Sequence, residues 1–99
     1  DGSLDEDMDP VVKIVNVNDD DKIPMVFRLK VEVSSPNSVK RVTMYLNGEK
    51  FAEDSSEPYG YNFSFPYSDI GKKMKLKVVA EDSKGNKGED EVEFEIGGY

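Results

Sequence analysis

The chain has 99 residues, enough for one small hydrophobic core. Twenty-one acids against thirteen bases give a formal charge of −8, the opposite of the basic footprint that a nucleic-acid binder needs. Cysteine and histidine are both absent, which excludes a disulfide framework, a thiol nucleophile, a Cys/His zinc site and a histidine general base.

No apolar run approaches the length of a membrane span, so a soluble chain without membrane insertion is expected. With no initiator Met, signal peptide or tag, the sequence reads as a module of something larger. Twelve Val and ten Phe or Tyr stand against four Leu and two Ala, a bias that suits pleated strands over helices. No stretch sustains a 3.6-residue period, and an all-β domain is predicted.

Residues 1–10, DGSLDEDMDP, hold five acids and no base, and read as an acidic linker or arm. Residues 11–97 then form the domain. Val11 to Val17 is a first strand whose facing is ambiguous, and Asn18 to Pro24 is a loop. From Met25 to Ser34, Phe27, Leu29, Val31 and Val33 share one face and Arg28, Lys30 and Glu32 the other, the pattern of a half-buried strand. Ser34 to Ser38 is a turn cluster. Val42, Met44 and Leu46 point inward, and Arg41, Thr43 and Tyr45 outward. Asn47-Gly48 is a strong hairpin signal, because a type I′ turn needs positive φ at both central residues. It leads into a short strand around Lys50 to Glu53.

Tyr59, Tyr61, Phe63 and Phe65 alternate with Gly60, Asn62 and Ser64, which places the rings in the core. Met74, Leu76, Val78 and Ala80 form the next inward row, and Val92, Phe94 and Ile96 the last. Ser83 to Gly88 is the hairpin loop between them, with Asp82 placed to accept hydrogen bonds from its amides. Outward Lys73, Lys75 and Lys77 face Glu91, Glu93 and Glu95, a solvated charge ladder that helps to set register. About seven antiparallel strands joined by turns predict an immunoglobulin-like β-sandwich without a disulfide.

Three segments, VKRVTMYLNGEKF (Val39 to Phe51), EPYGYNFSF (Glu57 to Phe65) and LKVVAEDSKGN (Leu76 to Asn86), together resemble bacterial immunoglobulin-like modules of multidomain extracellular proteins. The likeness covers residues 11–96. Members often carry Trp on the strand after the Pro-Tyr pair, where this chain has Phe63. Cadherin repeats are a more distant likeness through Ala80-Glu81-Asp82, but their calcium-linker motif is missing. The resemblance implies a secreted or surface location and a non-catalytic accessory role that spaces, orients or docks neighbouring domains of the same chain. As an isolated domain it is expected to be monomeric.

Two kinds of candidate site remain. Asp5, Asp7 and Asp9 alternate like the opening of an EF-hand loop, and calcium favours carboxylate oxygens. However, Pro10 stands where that loop requires Gly, and Asn16 where it requires Glu. Asp19, Asp20 and Asp21 form a second acidic cluster, so the choice lies between a calcium-stiffened linker and solvated acidic segments. No other cofactor is expected. Tyr45, Phe51 and Tyr67 are candidate stacking rings for a polysaccharide or contacts for a cell-surface protein, against a structural role at the rim of the core. Carboxylates are plentiful, but none forms a recognisable acid/base pair, and no catalytic residue is assigned.

Overall fold

A computed structural model describes residues 8–98. Its strands are β1 (Val11–Ile14), β2 (Lys22–Ile23), β3 (Val26–Ser34), β4 (Val39–Leu46), β5 (Glu49–Asp54), β6 (Tyr59–Ser64), β7 (Lys73–Asp82) and β8 (Lys87–Ile96). One 3₁₀ turn, Tyr67–Asp69, separates β6 from β7. A three-stranded sheet in the order β1-β3-β6 faces a five-stranded sheet in the order β2-β8-β7-β4-β5. All pairings are antiparallel except β2 with β8. The predicted sandwich is present, and the period-two rows form its core. Leu29, Val42, Met44, Leu76, Val78, Phe94 and Ile96 are all buried between the sheets. Full burial of such a side chain contributes roughly 1.5–3 kcal/mol. With no cysteine to cross-link the chain, burial must supply most of the stability.

Among the described residues there are eight strands where the sequence predicts about seven, because the first strand divides. β1 pairs with β3 only as far as Ile14. The Val15 amide still donates to the Lys30 carbonyl (3.0 Å), and the Asn16 side chain then takes over from the main chain. Its Nδ2 donates to the Arg28 carbonyl at 2.7 Å, and its Oδ1 accepts the Lys30 amide at 3.0 Å. Those bonds pair the Arg28 carbonyl and the Lys30 amide on the edge of β3 while the backbone turns away. Val17, 3% exposed, fixes the crossing point in the core. The chain then joins the opposite sheet as β2.

The hairpins follow local chemistry. Asn47 (φ 52°) and Gly48 (φ 88°) make the two-residue turn between β4 and β5. Asn47 also holds β7: its amide donates to the Lys75 carbonyl at 2.8 Å, and its Oδ1 accepts the Lys75 amide at 2.9 Å. In the β7–β8 ladder, Lys73, Lys75 and Lys77 stand opposite Glu95, Glu93 and Glu91, as the charge pattern predicts. The ion pairs nevertheless run diagonally, Lys75 with Glu91 (3.5 Å) and Lys77 with Glu89 (3.4 Å), while Glu95 meets Lys22 of β2 (3.9 Å). Diagonal reach follows from the twist of the strands and the length of these side chains. Thr43, expected outward, is buried on β4 where that strand is paired on both sides, with β5 and with β7.

Candidate functional site

Residues 10–23 run beside β8 along its length. Pro10 is buried against Gly88, so close that a Cβ on Gly88 would strike the Pro10 carbonyl. The Ile14 amide donates to Asp90 Oδ2 at 2.9 Å. After the crossover, the Asp20 amide donates to the Glu93 carbonyl, the Glu95 amide to the Asp21 carbonyl and the Gly97 amide to the Ile23 carbonyl, each at 2.8 Å. The chain therefore enters at the start of β8 and leaves beyond its end, about 30 Å away at ~3.3 Å per residue of strand.

Two carboxylates of the crossover accept main-chain amides, one from β8 and one within the loop. Asp19 Oδ1 accepts the Glu93 amide (3.0 Å), and Asp21 Oδ2 accepts the Asn18 amide (2.9 Å). Asp20 is the residue with positive φ, 69°, at the bend. Asp9 is exposed beside Pro10, and Asp5 and Asp7 lie outside the described residues. Among the described residues no group of three or more carboxylates gathers as a metal site would require.

At the entry end, Asp82 is fully buried and organises the β7–β8 turn. Its Oδ1 accepts the amides of Lys84 (2.9 Å) and Asn86 (2.8 Å), and its Oδ2 the side-chain amides of Asn86 (3.1 Å) and Asn37 (3.2 Å). Burial alone would raise its pKa. The bonds from Asn86, Asn37 and Lys84 outweigh that and hold it below the usual Asp value of 3.8. Near the same end lies an open groove of about 500 Å³, lined by Val11, Lys13, Val33, Ser34, Pro58 and Tyr59 among others. Burial, with Glu57 and Asp54 nearby, pushes the Tyr59 phenol above 10.0.

The structure does not bring the three candidate rings together. Tyr45 lies half-buried on the outer face of the five-stranded sheet, beside Lys75, Lys77 and Val79. Phe51 turns inward, with its ring edge-on to Tyr61 (4.9 Å) and 5.3 Å from Phe63. A register shift between Met44 and Tyr45 alters the alternation of β5, a feature that a period-two reading of Lys50 to Glu53 misses. Tyr67, in the 3₁₀ turn, is 81% exposed. Sequence reasoning missed Asn16, and it marked Asp19 only as a candidate cation ligand, not as an acceptor for β8; both bond to strands distant in sequence.

The profile of the family described as "Bacterial Ig domain" matches residues 10–73. The chain belongs to that family. No curated protein sequence matches it. Among solved structures, this Ig domain is similar to the fibronectin(III)-like modules of Clostridium thermocellum CbhA, at 20% identity and TM-score 0.70, covering 89% of this chain and 98% of that one. It is also similar to SGBP-B of the Bacteroides ovatus mixed-linkage glucan utilization locus, solved in complex with a mixed-linkage heptasaccharide. There the identity is 16% and the TM-score 0.63, over 94% of this chain but only 25% of that one. At these identities the likeness is one of fold.

Proposed function

We propose that this Ig domain is a non-catalytic accessory module that spaces, orients or docks neighbouring domains of a secreted or surface-attached multidomain protein. The observation that carries the reading is the entry and exit of the chain at opposite ends of β8. A module built this way keeps its two neighbours about 30 Å apart at ~3.3 Å per strand residue, and ties both junctions to one strand. The likeness to a quarter of a much longer glycan-binding chain supports a place within a larger protein.

The absence of native cysteine makes a direct test simple. Spin labels on Asp9→Cys and Gly98→Cys should give a narrow distance distribution, centred on the order of 30 Å before label length. A short or very broad distribution would remove the spacer reading. Tyr67 favours a second reading, a polysaccharide or protein ligand held at an exposed ring. Affinity electrophoresis in mixed-linkage glucan tests it, with retardation expected for the native chain and lost in Tyr67→Ala; no retardation of the native chain counts against the glycan form.

A further inference from the structure

The edges of the two sheets are not alike. β2 has only two residues. β5 carries Glu49, Lys50, Glu53 and Asp54. On β1, Asp90 occupies the outward Ile14 amide, and Pro10 precedes the strand. Charge, shortness and proline are the devices by which proteins blunt sheet edges. β6, Tyr-Gly-Tyr-Asn-Phe-Ser, is six residues long with no charge and no proline within it, although Pro58 precedes it as Pro10 precedes β1.

The hydrogen-bond register shows which groups this edge presents. Phe65 donates its amide to the Met25 carbonyl, so the odd-numbered residues of β6 turn their backbone towards β3. Gly60, Asn62 and Ser64 therefore turn theirs outward, and nothing among the described residues bonds to those groups. An added antiparallel strand would find three amides and three carbonyls at the spacing of a regular ladder.

The flanking side chains select what that strand must carry. On the outer face, the Arg28 guanidinium lies across Gly60, where a Cβ would come within 3.2 Å of it, and donates to Asn62 Oδ1 at 3.2 Å. Arg28 and the neighbouring Lys30 take part in none of the ion pairs among the described residues. On the inner side, the half-buried rings of Tyr61 and Phe65 border the edge. Alternate side chains of an added strand would thus meet cations on one face and aromatic carbon on the other.

We propose that the free edge of β6 is a strand-acceptor site for an extended peptide segment of alternating acidic and apolar residues. It does not depend on the spacing role, since the site needs no bridge between the chain ends. The probe is the synthetic peptide Ac-EVEVEV-NH2, titrated into the full chain with amide shifts followed by NMR, and with Ac-KVKVKV-NH2 as control. Saturable shifts are expected at Gly60, Asn62 and Ser64, with binding at least tenfold tighter for the acidic peptide and weakening as salt rises. Arg28→Gln should erase that preference, and Asn62→Pro, which removes the central outward amide, should abolish binding. If Asn62→Pro does not fold, the Arg28→Gln contrast still decides. Absence of shifts on β6 at millimolar peptide, shifts centred on β1 or β5, or equal binding of both peptides would overturn the proposal. Shifts on β6 that follow protein concentration instead would assign the edge to a second copy of the chain, and would overturn it as well.

Discussion

The carboxylate of Asp82 has no contact with solvent, yet each of its oxygens accepts two hydrogen bonds. The desolvation of a charge is the larger single influence on it, and four donors together reverse its effect. Because its pKa is lower in the folded chain than in the unfolded one, its contribution is present above pH 3.8 and is lost as pH falls through the folded value. Urea midpoints measured from pH 6 to pH 2 should therefore drop more steeply below pH 3.8 for the native chain than for Asp82→Asn. Equal slopes would show that the acid does not couple to folding. The bonds within Ser83 to Asn86 are legible in the sequence, since Asp in a turn commonly accepts nearby amides. The bond from Asn37 is not, because a loop 45 residues away supplies it.

Among the elements, legibility depends on whether one face is wholly buried. Met74, Leu76, Val78 and Ala80 alternate with charged or half-exposed residues, so a one-residue slip would turn the whole row to solvent, and the sequence specifies both strand and register. Val11, Val12, Val15 and Val17 offer apolar groups to both faces, and the sequence alone cannot say where that strand turns. β2 escapes notice for a different reason: its two residues are extended by their partners on β8, not by a propensity of their own. The β4–β5 turn is the opposite case, decided locally. Nothing lies within 4 Å of a Cβ built on Gly48, so Gly48→Ala isolates the backbone cost of φ 88°. A loss of about 1–2 kcal/mol is expected in chemical denaturation, with the denaturant slope unchanged. A neutral substitution would mean that the turn changes type to accommodate the side chain.

For the whole molecule, the −8 of the sequence divides unevenly: residues 11–99 hold sixteen acids and thirteen bases, and the first ten residues hold five acids and no base. Within the domain, opposite charges are interleaved on the outer face of the five-stranded sheet, while the outer face of the other carries Lys13, Arg28 and Lys30 with Glu32 opposite Lys13. The Asp19 to Asp21 segment, which by composition alone suggests a cation site, acts as part of the seam with β8. Two of its three carboxylates already accept main-chain amides, so the thermal midpoint should be the same in millimolar calcium and in chelator. A midpoint that rises with calcium concentration would instead assign a site to the acidic segments, since a ligand specific to the native state must stabilise it.

The seam has a further consequence, for the response of the molecule to force. Tension applied through the two chain ends acts along β8, while the bonds from Asp20, Glu95 and Gly97 lie across it, in a parallel pairing. They cannot open one after another like a zip, because the load reaches all three together. Asn16 and Val17 stand behind them, tying the crossover to β3 and to the core. A pull from the ends thus meets a shear lock, whereas the same bonds would peel singly if the chain entered and left at one end.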